Sequence, residues 1–445
     1  MGETGGFRKY LGGTALISLG FFTMGLMDPL YDNFVPLFLK PYVGSMGLRN
    51  SIMTIDNVFA LFLIPIVSAW SDRTRTRLGR RMPFILATLP LSAVFFSILP
   101  FAASASLAAL LGLIVALNLF KQGARGPIVA LMPDIVPGEF RSEANGVINM
   151  AGAAAGILAT IVLGPLMNPT IALPLLGPTS GKAPFVLAGL LVVLSVVLLL
   201  VFVREPRARA GEGGKAAEVE RQAPVLESLR SIAGAGDKSA LLILVSIFLW
   251  FFAYQGVLPC VSTYMLDVLG VNFGQTSLAM GAVAIAMVAF AVPAGILAAR
   301  LGRKRVVRSS LLAIVLVFAA LFAHQGLAAA LGLGGPARLY SFLFLMFLFG
   351  AFWIAVVVNS FPLLWQMATY ADMGIYTAAY YVAKESSSIV SPPLVGLASD
   401  LLGIRSIFLV AAAFTLAAFV AMGFVKRGEA REGATPSPAA KAKEA

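Results

Sequence analysis

Apolar stretches of twenty or more residues alternate along this chain with short polar breaks, and twelve of them can be counted. Each is long enough for a helix to cross a hydrocarbon core of roughly 30 Å, where backbone groups find no water and must bond within the helix. The predicted spans are 11–38, 51–71, 83–104, 107–132, 143–167, 183–203, 239–266, 275–299, 306–327, 338–363, 374–399 and 405–425. One long polar insert, 204–238, parts the sixth span from the seventh. The pattern predicts an all-α membrane protein: an N-terminal six-helix bundle over 1–203, a cytoplasmic linker over 204–238, a C-terminal six-helix bundle over 239–425, and a disordered cytoplasmic tail over 426–445.

Composition supports this reading. Of 445 residues, 59% are hydrophobic and 12% charged, against about 25% charged in soluble domains, and mean hydropathy is +0.89. Both values exclude a soluble globule. A single cysteine, Cys260, and a single histidine, His324, exclude an internal disulfide, a thiolate metal cluster and a His-based triad. His324, at the outer end of the ninth span, is expected to be an exposed residue without a role. No Gly-x4-Gly-Lys-[Ser/Thr] loop for ATP is present, and neither cofactor nor metal is expected.

The net charge of +12 is distributed unevenly. With the N-terminus in the cytoplasm, 25 cations fall in inner loops and termini and five in outer loops, an asymmetry that places both termini inside. The cations anchor loops on one membrane face and form no stripe interleaved with aromatics, so nucleic acid is not an expected partner. The basic pair Arg8-Lys9 precedes an apolar run without a small-residue cleavage site, which predicts a retained first helix. Richness in Ala, Gly and Arg points to a GC-rich bacterial source and hence a bacterial cytoplasmic membrane.

The two halves carry corresponding basic turns between their second and third spans, Ser-Asp-Arg-Thr-Arg-Thr-Arg-Leu-Gly-Arg-Arg at 71–81 and Gly-Ile-Leu-Ala-Ala-Arg-Leu-Gly-Arg-Lys-Arg at 295–305. Parallel six-helix repeats with a substrate site between them describe the major facilitator fold. The stretch from Ser71 to Phe84 resembles the signature of glycoside-pentoside-hexuronide:cation symporters and the related sucrose/proton symporter-like transporters. So do Met53-Thr-Ile-Asp56-Asn57, the run from Ala130 to Gly146, Asn359-Ser-Phe-Pro362, Tyr380-Tyr381 and Pro392-Pro393-Leu-Val-Gly396. The resemblance implies the two-bundle fold, alternating access, and gating by Asp72, Arg73, Gly79, Arg80 and Arg81, for which Asp134, Glu139 and Arg141 are expected partners. The chain departs from the pattern at Ala299, where the second turn lacks the acid of the first, and at Lys384-Glu385 in the eleventh span.

Ionisable groups at bilayer depth cost about 2.5–3.5 kcal/mol each on insertion scales and are kept where they pair or line water. Asp28 and Asp32 share a face of the first span at i, i+4, and Asp56 lies at similar depth in the second; these three are the candidate cation-coupling groups. Asn118, Lys121, Gln122 and Arg125 form one helical stripe expected to face the cavity as substrate ligands. The second half offers Tyr254, Gln255, Asn359, Tyr380 and Lys384, aromatic and amide groups suited to sugar faces and hydroxyls. The related sodium-coupled symporters place a second aspartate one turn on, where this chain has Ala60, so H+ is favoured over Na+. Gly152 and Gly156 are read as helix-packing positions.

These readings lead to a monomeric secondary transporter that couples protons to uptake of a sugar or glycoside. An anionic or amphipathic solute such as a lysolipid, held by Lys384 and the Lys121/Arg125 stripe, is the alternative within transport. A polytopic transferase would need a clustered catalytic His/Asp or paired loop carboxylates at the membrane face, which the sequence lacks, and 204–238 is too short and polar for a signalling domain.

Overall fold

The computed structural model describes residues 4–137, 140–170, 172–173, 177–178, 181–203, 205, 234, 238–367 and 373–426. The predicted tail beyond Lys426 and nearly all of the 204–238 insert lie outside the described residues. Long helices follow one another as the apolar pattern requires: α1 (Thr4–Leu39), α2 (Met46–Met53) with α3 (Ile55–Arg73), α4 (Met82–Ala105), α5 (Leu107–Ile135), α6 (Arg141–Ile157), α7 (Ala183–Phe202), α8 (Ser239–Tyr264), α9 (Leu278–Leu301), α10 (Arg303–Ala330), α11 (Gly335–Trp365), α12 (Met373–Leu402) and α13 (Ser406–Gly423). A two-residue β-pairing, β1 (Ala172–Leu173) with β2 (Gly177–Pro178), decorates the loop before α7.

Every predicted span coincides with a helix, with one difference in the second. It starts at Met46, not 51, and breaks at Thr54 into α2 and α3. Ser45 caps α2 by accepting from the Leu48 N–H, a hydroxyl at the N-cap being a strong start signal that an apolarity count misses. Among the described residues eleven helical stretches are long and apolar enough to cross a bilayer. α12, with 30 residues, matches them in length, but Lys384, Glu385 and the serines at 386–388 reduce its hydropathy because it lines a polar cavity instead of lipid.

Two apolar cores divide the molecule. One is built from residues between Ile17 and Val203; the other runs from Ala240 to Val425, joined from the first half by Met46 alone. Gly152 and Gly156 lie where α6 crosses α1, as their spacing suggests. The halves approach each other closely where α2 meets α12. A Cβ on Gly396 would lie 2.8 Å from Gly47 Cα and from Met46 O, so this backbone contact depends on glycine.

One end of the molecule is closed. Asp400, at the end of α12, accepts from Ser45 Oγ at 2.7 Å, Met46 N at 2.7 Å and Gly47 N at 2.9 Å. Lys40 pairs with Asp267, Asn33 Nδ2 donates to Thr276 Oγ1 at 3.0 Å, and Phe34 and Phe38 both stack on Phe273. Asn50 Nδ2 donates to Pro392 O at 2.9 Å and approaches Cys260 Sγ at 3.2 Å. These ties join the halves at the end that bears the 40–45 loop. His324 is buried, not exposed as expected: its Nε2 lies 2.8 Å from Ser341 Oγ and its ring meets Phe342 edge-on, because α10 presents this face to α11.

Candidate functional site

A cavity of about 900 Å³ lies between the halves and extends from Asp32 down to Ser68 and Pro133, near the basic turns. On the first-half wall stand Asp28 and Asp32 of α1, Asp56, Asn57 and Ala60 of α3, and Arg125 of α5. The break at Thr54 gives Asp56 its place. It sits in the first turn of α3, where the positive end of a helix favours a carboxylate.

The facing wall comes from α8 and α12: Gln255, Leu258, Pro259, Tyr381, Lys384, Glu385, Ser388 and Pro392. Lys384 Nζ lies 2.9 Å from Glu385 Oε1, and Gln255 Nε2 donates to Ser388 Oγ at 2.8 Å. Asn57 Nδ2 reaches across to Ser388 O at 3.4 Å. The cavity thus holds carboxylates, cations, amides and hydroxyls in one aqueous space, with apolar Leu61, Ile64 and Val129 between them. A pocket with a few placed polar groups on an apolar lining is the usual form of a small-molecule site.

The 118–125 stripe of α5 is only partly a cavity wall. Arg125 lines the space, but Lys121 is buried behind Asp28, with Nζ 2.9 Å from Asp28 Oδ1 and 4.8 Å from the Tyr31 ring centroid. Asn118 and Gln122 are also buried, and Asn118 Nδ2 donates to Tyr31 OH at 2.9 Å. Their part of the stripe lies at the depth that the packing of α5 on α1 fills, so they organise the wall without facing the cavity.

Three residues expected to meet substrate are packed inside the second bundle. Tyr254 stacks flat on Trp353 with centroids 4.3 Å apart, Tyr380 shares a hydrogen bond with Ser360 Oγ at 3.1 Å, and Asn359 Nδ2 donates to Ala355 O of its own helix. The spacing of α12 explains the difference. Residues 381, 384, 385, 388 and 392 line the cavity at helical intervals, and Tyr380 falls about 100° from Tyr381. Gln255 and Lys384 are on the lining as expected. Tyr381, Glu385, Ser388 and Asn57 also stand on the lining; the i, i+3, i+4, i+7 and i+11 spacing of Tyr381, Lys384, Glu385, Ser388 and Pro392 is the sequence signal for the α12 members, and Asn57 follows Asp56 directly.

Beyond the cavity mouth, three of the residues expected to gate, Asp72, Arg80 and Arg81, form one network with Asp134. Arg81 pairs with Asp72, and Arg80 and Arg81 both pair with Asp134, Arg81 Nε at 3.0 Å. The Asp134 bond and charge raise the already high Arg80 value against the desolvation that opposes them. Arg73 is exposed at the end of α3. Gly79 holds φ +107° in the turn, a region that L side chains avoid. Arg141 does not pair with Asp72; its guanidinium donates to the carbonyls of Pro133 and Val136, closing the end of α5. Glu139 lies outside the described residues. The unexpected member is Glu205, whose Oε2 accepts from Arg81 N at 2.8 Å and Met82 N at 3.2 Å. It stands at the head of a segment read as linker, and so acts as an N-terminal cap for α4 supplied from a distant point in the chain.

A model of the Major Facilitator Superfamily matches residues 17–383 and 243–444. An uncharacterised MFS-type transporter of Schizosaccharomyces pombe (strain 972) is 27% identical over 210 residues, 46% of this chain. The match spans 35% of that relative's length. Among solved structures, a bacterial homologue of the human lysosomal transporter Spinster, inward-facing and occupied, superposes with TM-score 0.70 at 12% identity, covering 95% of this chain and 97% of its own. The nucleoside transporter NupG gives 0.67 at 14% identity (93% and 100% covered), and a D-xylose-proton symporter 0.66 at 17% (93% and 97%). At these identities the likeness is one of fold.

Proposed function

The chain belongs to the Major Facilitator Superfamily, a family of membrane transporters and not of enzymes, and on that premise we propose that it is a proton-coupled symporter of a polar uncharged solute, a sugar or glycoside. One observation carries the reading: Asp28, Asp32 and Asp56 share a single cavity with the Gln255–Ser388 and Lys384–Glu385 pairs on the opposite wall. Carboxylates that exchange a proton with water on one side can then respond to a solute bound within reach. Desolvation and nearby cations govern a carboxylate's affinity for its proton, and both change when a solute fills the space. Ala60 at the position one turn beyond Asp56, where a second carboxylate would complete a cation cage, supports H+ over Na+.

The orientation belongs to the same proposal. Both termini lie in the cytoplasm of a bacterial cell, the halves are 1–203 and 239–425, the monomer is the working unit, and the cavity described here opens inward. The gating set Asp72, Arg73, Gly79, Arg80 and Arg81 acts by holding the first-half turn in a conformation that differs between the two access states, since only a differential contact shifts their populations.

The experiment uses proteoliposomes that enclose a pH-sensitive dye, with no imposed gradient and with Na+ present or absent. Addition of the right mono- or disaccharide acidifies the lumen regardless of Na+. A response confined to lysolipids or organic anions would favour the second reading, for which the exposed Arg125 and the cavity-lining Lys384 would supply the anion contacts.

A further inference from the structure

The second-half basic turn differs from the first in how its charge is balanced. In the first half, Asp72, Asp134 and Glu205 surround Arg80 and Arg81. In the second half, Ala299 replaces the acid, and among the described residues Lys304, Arg305 and Arg308 form no salt bridge. These three cations, with Phe419 of α13, line a separate pocket of about 530 Å³.

The pocket has the features of an anion site with an apolar flank. Arg308 holds its guanidinium 4.8 Å from the Phe419 ring centroid, and its buried Nε has no hydrogen-bond partner. Lys304 donates to the Val425 carbonyl, which fixes its ammonium beside the end of α13. Both Lys304 and Arg305 belong to the first turn of α10, whose N-cap is Gly302 with no side chain to offer, so the positive end of a 28-residue helix adds to the field. Around it, Leu312, Leu416, Val420 and Phe424 are exposed apolar side chains, a surface that a bilayer-spanning chain turns toward acyl chains.

We propose that this pocket binds the headgroup of an anionic phospholipid, with the phosphate held by Lys304, Arg305 and Arg308 and the chains lying along the Phe419 side of α13. Basic pockets between membrane helices are suited to such headgroups. A free phosphate shares the headgroup chemistry but would leave the apolar flank uncovered. The pocket is separate from the cavity between the halves, so the assignment stands whatever solute the protein carries.

Native mass spectrometry of the full chain, titrated with dioleoyl phosphatidylglycerol, dioleoyl phosphatidylcholine and inorganic phosphate in turn, tests this. Phosphatidylglycerol is expected to bind at least tenfold more tightly than phosphatidylcholine. Arg305→Gln should weaken it about fivefold and Lys304→Gln/Arg305→Gln about twenty-five-fold, with phosphatidylcholine unaffected. Arg305 is exposed, so unchanged thermal unfolding without lipid shows that the variants are folded; Arg308→Gln supplies a second reading of the same loss. Equal phosphatidylglycerol binding by wild type and the double variant overturns the proposal. So does displacement of the lipid by equimolar phosphate, which would mark a small-anion site. If a chain ended after Lys426 gains lipid binding that the full chain lacks, the tail is the occupant and the lipid assignment fails.

Discussion

Lys121 Nζ sits 2.9 Å from the Asp28 carboxylate with only 5% of the lysine side chain exposed, against 32% for the aspartate. The pair therefore neutralises one carboxylate from behind the cavity wall, while Asp32 and Asp56 face the cavity with no ion-pair partner among the described residues. The three aspartates are not equivalent, and that asymmetry governs what their substitution should do.

Breaking the pair from either side strands a charge. Lys121→Met and Asp28→Asn should each lower stability by about 3 kcal/mol, the lower end for buried pairs because Asp28 already meets the cavity. The double variant should recover most of the loss. Thermal unfolding of the four proteins in one detergent, read as a double-mutant cycle, checks this; additive losses would mean that the two groups do not interact.

Asp32→Asn and Asp56→Asn should separate coupling from binding. Each is expected to abolish accumulation driven by an imposed pH gradient, while exchange of labelled for unlabelled solute across the membrane persists. Gradient-driven uptake at the wild-type level in both variants would remove these carboxylates from the coupling step.

The closed end can be opened at Asp400. Burial alone would raise its carboxyl, but the Ser45 hydroxyl, the Gly47 and Met46 N–H groups and the Arg49 charge hold it below the ordinary carboxylate range. When the gate opens, the value returns to about 3.9. Stabilisation of the closed end is thus fully present above that pH and is lost as pH falls through the lowered value, so neutral pH leaves it intact. Asp400→Asn removes the charge at any pH and should shift the gate about fivefold toward open, on the scale of a lost helix cap. Cys260, buried beneath Asn50, reports this directly: its labelling by a maleimide in detergent solution should accelerate by the same factor.

The turn that carries the Asp72, Arg80, Arg81 and Asp134 network should be sensitive at Gly79 and Glu205. A Cβ on Gly79 would lie 2.5 Å from Glu205 Cδ, at a φ that alanine resists. Gly79→Ala should cost about 1–3 kcal/mol, and Glu205→Ala about 1–2 kcal/mol by uncapping α4. Both should lower the melting temperature, and combining them should cost less than the sum, because removal of Glu205 relieves the clash.

Lys384→Gln distinguishes the two solute readings. For a neutral sugar the expected change is a modest loss of affinity from one hydrogen bond, about tenfold or less. For an anionic solute binding should fall by about a hundredfold, as one of the two cations that line the cavity is lost and Arg125 alone remains to pair the charge. Equilibrium binding to the purified variant gives the answer.

What the sequence determined was set by solvent. In hydrocarbon a backbone must satisfy its own hydrogen bonds, so twelve apolar runs had to be twelve helices. The basic turns at 71–81 and 295–305 showed that six spans repeat, and the costly aspartates at 28, 32 and 56 marked the wall of a cavity because charge at that depth needs water or a partner. What tertiary structure decided was which face of each helix looks where. Helical spacing put Tyr380 and Tyr381 one residue and about 100° apart, and only the packing of α12 against α2 and α8 made the second a lining residue and the first a core residue. Likewise, nothing local to Glu205 ties it to Arg81, 124 positions away; that contact exists because the end of α7 and the start of α4 are brought together by the bundle, and a cap supplied across so long a separation leaves no periodic trace in the chain.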